Sequence, residues 1–431
     1  MFAVALVAFA VLVGLLWYAV SLLVGLRFQF GIRTLFLLIL VVATACSWFA
    51  VRMNYAGRQR KAVAAVESAG GKVTYDYQTG WLSSPAELPG PAWLRGLVGM
   101  DFLADVVDLQ FQAPGSQEAF PEVDDDWLDR HINGLVHVRW LNLNGTEVGD
   151  VGVELLGKLT DLELLTLTST AVTDVGAEHL KNLRNLECLM IDDTRISDAG
   201  LAHFAGLTNL KDLDLAGTQI TGAGFQHFGR LSKIETLYLS DTHVTDAGLA
   251  HIEGLTKLIL LDLSGTQVTG KGFRHLKKCT NLESLYLLDT RVTDSGLQHL
   301  QGLTNLQTVL LSDSEVTDAG LEYLQGLTAL AGLGLSNTQV TDTGLEHLTG
   351  LSDLAYLNLC NTAVGDAGLE TLRTLTNLHQ FTLTGTRITD AGLIHLEEMT
   401  ELRYLDLKET AVSDQRVEKL QQALPSCKID H

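Results

Sequence analysis

The chain has 431 residues, with 51 acidic against 30 basic side chains and a formal charge of −21 at pH 7. That negative excess argues against nucleic acid, whose phosphates would be repelled, and against a peripheral grip on anionic lipid. Cys46, Cys188, Cys279, Cys360 and Cys427 stand singly, with no CxxC and no histidine at metal spacing, so a disulfide framework is not expected and a cysteine metal site has no spacing to support it.

Phe2 to Leu26 carries no charge, and after Arg27 and Arg33 a second uncharged run extends from Thr34 to Val51. At 1.5 Å per residue the second run spans about 27 Å, enough for a bilayer core. Residues 1–53 therefore read as a membrane anchor of two helices, about 2–26 and 34–51. Arg52, Arg58, Arg60 and Lys61 after the second run outnumber Arg27 and Arg33 between the runs. The positive-inside rule then puts both termini in the cytoplasm and the anchor in the cell (inner) membrane. A single span that exports the rest of the chain is the alternative, with the repeats periplasmic or extracellular.

Residues 54–137 read as a juxtamembrane helix and a cap. Gln59 to Ala69, with Val63 and Val66 among alanines, predicts a short amphipathic helix stopped at Gly70-Gly71. Lys72 to Tyr77 alternates like a strand. Ser83 to Pro91 is a proline-rich link, and Pro91 opens a helix bearing Leu94, Leu97 and Val98. Val106 to Phe111 is a further strand. Trp127 to Leu135 has the pattern of an irregular repeat helix capped by Asp125 or Asp126.

From residue 138 to 412 the chain repeats. Leu141, Leu165, Leu189, Leu213, Leu237, Leu261, Leu285, Val309, Leu333, Leu357, Phe381 and Leu405 follow one another at a fixed 24-residue step without insertion. Such a period signals a solenoid, in which no unit can bury its own apolar face alone. Each unit reads LxxLxLxxTxVTDxGLxxLxxL: alternation first, as in a half-buried strand, then steps of three, as in a helix. In the unit beginning at Ile234, Thr245 and Asp246 stand where the helix must start, and Gly254 where it stops. An aspartate holds that position from Asp150 to Asp414, except where Gly222 and Gly270 replace it. Residues 413–431, where Gln415-Arg416-Val417 replaces the usual AGL, read as a C-terminal cap over an otherwise exposed strand edge.

The LxxLxLxxT strand with its TDxGL helix start resembles the leucine-rich repeat family over roughly Val138 to the C-terminus. It is similar to the subclass found in F-box-associated receptors and in bacterial, especially planctomycete, membrane-anchored repeat proteins. Their membrane-proximal cap is also similar to the GGKVTYDY and WLRGLVG segments here. Threonine stands where commoner repeats have asparagine (Thr146, Thr170, Thr194; Ser314 once). The resemblance implies an α/β solenoid, with a curved parallel β-sheet on the concave face and short helices on the convex face. It also implies a scaffold that binds a protein rather than an enzyme. A ubiquitin-ligase-type substrate adaptor is a minor alternative resting on repeat subclass alone, and no F-box-like helical segment precedes the array.

No GxSxG, Walker loop or HExxH motif occurs, so no catalytic residue, cofactor or metal is assigned. His179, His203, His227, His251, His275, His299, His347 and His395 share one helix position and read as partly exposed packing residues rather than a metal ladder. The strand positions facing out of the concave side vary from unit to unit. There Tyr238 and Tyr286 flank Asp262, with Asp212 and Asp214 on one side and Leu260, Leu288 and Leu310 nearby. Tyr356 and Tyr404, with Lys408, form a second cluster. These residues are the candidate partner-binding face, suited to a basic or amphipathic protein surface. The alternative is a surface receptor whose external repeats bind a peptide or glycan.

Overall fold

A computed structural model of the protein describes residues 32–78, 89–111 and 120–431; the first expected span, 2–26, lies outside them. The chain divides into two compact units, one of residues 1–111 and 126–140, the other of residues 112–125 and 141–431.

In the smaller unit one helix runs unbroken from Ile32 to Ser68, where composition suggests an apolar helix followed by a separate amphipathic one. No proline interrupts residues 52–58, and Gly57 alone is too weak a breaker to end a helix packed on both sides of it. The stop comes at Gly70, whose left-handed φ of 82° turns the chain, while the Gly71 N–H donates to the Val66 carbonyl at 2.8 Å. From Tyr55 onward the helix buries one stripe: Tyr55, Ala56, Gln59, Ala62, Val63 and Val66. The buried Gln59 amide is satisfied, its Nε2 donating to the Ala104 carbonyl at 2.9 Å and its Oε1 accepting the Tyr55 hydroxyl at 2.8 Å. Gly134 allows a close approach of backbone to backbone, since a Cβ there would stand 2.6 Å from the Arg58 carbonyl oxygen. Lys72–Tyr75 and Val106–Gln110 pair antiparallel. Asp101 joins the parts, accepting from Arg60 at 3.1 Å and from the Tyr75 hydroxyl at 3.0 Å. The other end of the helix is bare: Leu37, Leu40, Val41, Trp48 and Val51 are 59–67 % exposed.

In the larger unit, three-residue strands recur every 24 residues from Trp140–Asn142 to Tyr404–Asp406. From Leu164–Thr166 onward each pairs in parallel and without slip to the next, so that Leu165 lies beside Leu189 and Phe381 beside Leu405. Their central side chains are fully buried, as are the leucines, isoleucines, valines and phenylalanines at the matching helix positions. Between strands the chain forms either a short α-helix, such as Asp174–Leu180, or a 3-10 helix, such as Lys271–Lys278.

Two polar devices hold successive units. First, the residue before each repeat threonine is left-handed, with φ between 50° and 68° from Gly145 to Glu409; glycine, aspartate and asparagine fill most of these positions because they tolerate it. The buried threonine hydroxyl then donates to the carbonyl three residues back, at 2.5 Å for Thr266 on Leu263 and 2.7 Å for Thr338 on Leu335. Ser314 is buried without such a partner. Second, the helix-start aspartates reach into the following repeat. Asp150 accepts the Thr173 and Gly176 N–H groups at 2.8 and 2.9 Å and the Thr173 hydroxyl at 2.8 Å. Asp174, Asp294, Asp318, Asp366 and Asp390 repeat the N–H and hydroxyl pair at 2.6–2.9 Å.

This changes the meaning of the Thr-Asp pair. The hydroxyl caps its own helix, as Thr173 does for the Val175 N–H, while the carboxylate staples the next unit. Asp125, expected as a cap, opens the helix Asp125–His131 and accepts the Gly149 N–H at 2.8 Å in the same manner. Where Gly222 and Gly270 interrupt the series the backbone is left-handed, with φ 94° and 92°, and a Cβ would lie 2.7 and 2.5 Å from the Cα of Gly248 and Gly296. Close backbone contact there replaces the carboxylate staple. At the far end the helix Asp414–Ala423 leads into Lys428–Asp430, which pairs in parallel with Tyr404–Asp406 and covers the last repeat strand.

Candidate protein-binding face

The first and third residues of each strand point away from the core, and register aligns them in rows across the sheet. Asp214, Tyr238, Asp262, Tyr286 and Leu310 are consecutive neighbours in one row. Asp212 and Leu260 belong to the parallel row, as neighbours on either side of Thr236. All seven side chains are half-buried, as expected of residues standing side by side on a sheet. Leu288, two residues beyond Tyr286, is exposed, and its N–H donates to Ser264 Oγ at 3.2 Å. The sequence-derived patch is thus one continuous surface.

The second cluster is different. Tyr356 lies between Gly332 and Gln380, so one flank of its ring has no side chain beside it. Tyr404 is engaged internally: its hydroxyl donates to Asp406 at 3.2 Å and Asp430 at 3.0 Å, and the Lys428 ammonium lies 5.3 Å from the ring centre. Lys408 completes this knot by pairing with Asp406 and Asp430. Lysine and hydroxyl donors drive Asp430 down to about 2. This cluster ties the final strand to the sheet.

The central patch has the opposite electrostatics. Burial, and then the charges of Asp192, Asp262 and Asp193, push Asp214 up to about 6, although one of its oxygens accepts the Ala216 N–H at 2.9 Å. Tyr238 is raised by burial and by Asp214, and Cys188 is pushed up to about 11 by burial and by Asp212 and Asp214. Asp192 is also raised by burial, while its carboxylate accepts the Thr168 hydroxyl at 2.7 Å. Strand alternation alone misses Asp192, because it lies just past the end of its strand, Cys188–Met190; its signal is the aspartate two residues after Met190. The face therefore gathers several carboxylates, of which Asp214 and Asp192 are raised first of all by burial.

The histidines on the helix side are half-buried or exposed and make local contacts, such as Gln226 to His227 at 3.4 Å and Arg274 to His275 at 3.1 Å. Two shallow grooves of about 600 and 570 Å³ lie off the sheet face, along the left-handed turns beside Thr170 and Thr290. They occupy equivalent repeat positions and are a periodic by-product of the turns.

A leucine-rich repeat model matches residues 160–220 and 184–244, and a second leucine-rich repeat model matches residues 135–157. The larger unit is a leucine-rich repeat array. Its fold is similar to that of an internalin of Listeria monocytogenes, with a TM-score of 0.61 and 22 % identity over 80 % of this chain and 98 % of that one. It is also similar to a leucine-rich repeat protein of Leptospira interrogans, with a TM-score of 0.57 and 19 % identity over 86 % and 98 % of the two chains. No curated protein sequence matches. The leucine-rich repeat fold accounts for the long parallel sheet and outer helices, and it leaves the identity of the face residues to this chain alone.

Proposed function

We propose that this chain is a membrane-anchored, non-catalytic leucine-rich repeat scaffold that binds a protein through the open face of its sheet. Asp212, Asp214, Tyr238, Leu260, Asp262, Tyr286, Leu288 and Leu310 form the contact surface. The observation that carries the reading is the row Asp214–Tyr238–Asp262–Tyr286–Leu310, which unites carboxylates with aromatic and aliphatic anchors on a register-locked sheet. A partner bringing lysine or arginine beside apolar side chains relieves the repulsion and covers the rings. Tyr356 is an outlying contact and Tyr404 a structural one.

The anchor reading rests on the exposed apolar stretch of the helix Ile32–Ser68, whose segment from Ile39 is long and apolar enough to cross a membrane. The lower part of the helix, from Tyr55, is committed to packing and cannot lie in lipid. That division favours Thr34–Val51 as the second span of the anchor, after the expected span 2–26, and the basic residues after it favour the cytoplasmic side for the repeats. A reporter fused after His431 should be active in the cytoplasm; activity outside the cell would reverse the orientation and favour the receptor reading.

The face itself is tested with Asp212→Lys, Asp214→Lys and Asp262→Lys combined in the full chain. Partners cross-linked to the wild type should be lost by at least about tenfold, as expected when several opposite-charge contacts become like-charge ones, with the unfolding profile retained. Unchanged recovery of every cross-linked protein would remove the site assignment.

A further inference from the structure

The short helix Ala92–Val98 has one face packed and one bare. Leu94 and Val98, four apart, pack with Phe49, Ala56 and Phe102 in a small apolar cluster of the smaller unit. Trp93 and Leu97, also four apart, point outward and are 70 % and 64 % exposed. These are among the most exposed large apolar side chains of the described residues. The cluster beneath them also receives the end of the membrane-length run, since Phe49 packs on Phe102 with ring centres 5.1 Å apart and Trp48 meets Phe102 edge-on at 6.1 Å. Trp48 is itself 64 % exposed. Two bare tryptophans and a bare leucine thus flank the same cluster, at the level where the uncharged run Thr34–Val51 ends. Exposed Arg58 and Lys61 come next on the same helix, while Arg60 beside them is paired with Asp101.

We infer that the outer face of Ala92–Val98 docks onto the lipid bilayer, with Trp93 and Leu97 seated at the boundary between headgroups and acyl chains. The inference rests on the membrane-anchor reading above and goes beyond it, because it assigns lipid contact to a segment outside the anchor. Three features on this unit choose lipid as the occupant. The helix that carries the bare face is fixed, through Leu94 and Val98, to the same cluster that takes up Phe49 and meets Trp48, at the end of the exposed apolar surface of the long helix. Its large residue is tryptophan, whose amphipathic ring favours the interface. Basic side chains stand beyond it, where anionic headgroups would lie. A helix fixed at this level would hold the cap at a set distance from the membrane instead of leaving it on a single stalk.

The test uses the full chain in vesicles of phosphatidylcholine brominated near the top of its acyl chains, comparing wild type with Trp93→Phe and Trp48→Phe. Bromine quenches tryptophan only on close approach, and both substitutions conserve an aromatic ring. If Trp93 lies at the interface, Trp93→Phe loses a share of the quenched emission, and Trp93 is correspondingly shielded from aqueous acrylamide once the chain is in vesicles. If Trp48→Phe loses quenched emission and Trp93→Phe does not, the anchor stands and the docking inference falls. A Trp93 shielded from acrylamide but untouched by brominated lipid indicates a protein surface there, such as a second copy of the chain, and also overturns it. A chain that fails to float with the vesicles overturns the anchor reading and this inference together.

Discussion

Two sets of aspartates in the array show how one residue type takes opposite roles. Along the helix starts from Asp150 to Asp390, the carboxylates accept from donors of the next repeat; Asp390, on the N–H and hydroxyl of Ser413, is held below the usual carboxylate range by those hydrogen bonds. On the sheet face, Asp214 is desolvated among Asp192, Asp262 and Asp193 and pushed up to about 6. The first set recurs at one repeat position, broken only at Gly222 and Gly270, and contributes to holding the solenoid. The second gathers around Asp214, and there desolvation of the carboxyl works against the free protein. Part of the charge of −21 is therefore architecture, since the helix-start aspartates serve the stacking of units.

The contrast is challenged hardest where the staple is missing. Replacing Gly222 by Asp restores the repeat pattern on paper, yet it places a side chain at φ 94° and 2.7 Å from the Gly248 Cα. Left-handed strain and overpacking together should cost about 2–5 kcal/mol, read as a fall in the urea midpoint; a rise would show that the gap is only a lost staple. Asp150→Ala removes three hydrogen bonds to the following repeat and should cost about 2–3 kcal/mol by the same measurement. Cost within error would reduce the staples to ornament.

The smallest effect has the opposite sign. Because the folded-state pKa of Asp214 lies above the unfolded value of 3.8, the folded state binds more protons between about pH 4 and pH 6, and stability falls as pH rises through that window. Asp214→Asn keeps the acceptor for the Ala216 N–H and should stabilise the free protein by about 1 kcal/mol at pH 7, after discounting for solvent screening of a partly exposed group. The gain should vanish toward pH 4. A pH-independent difference would detach the effect from the charge.

Much of the array is legible from its period. The step of Leu141 to Leu405 and the strand alternation that puts Tyr238, Asp262 and Tyr286 on one face both come from one-dimensional pattern. The direction of the aspartate bonds does not, because in a perfect repeat a contact within a unit and the same contact to the next unit leave identical traces in sequence. Asp192 escapes for a local reason: the strand stops after three residues, and alternation carries no information about positions beyond its end. In the smaller unit composition divides the long helix too soon, since a change from apolar to mixed residues alters what a helix faces without ending it. Tyr404 looks like Tyr238 from its position alone, and only the terminal strand bearing Lys428 and Asp430 separates their roles.

The slip-free register has a metric consequence. With neighbouring strands about 4.8 Å apart, Tyr238 and Tyr286, separated by one strand, stand roughly 10 Å from each other across Asp262. That separation matches two residues seven apart on a helix, which lie about 10.5 Å apart along its axis. The array thus works as a ruler whose graduations are whole strands, and a segment that reads both tyrosines must carry its own side chains at that interval.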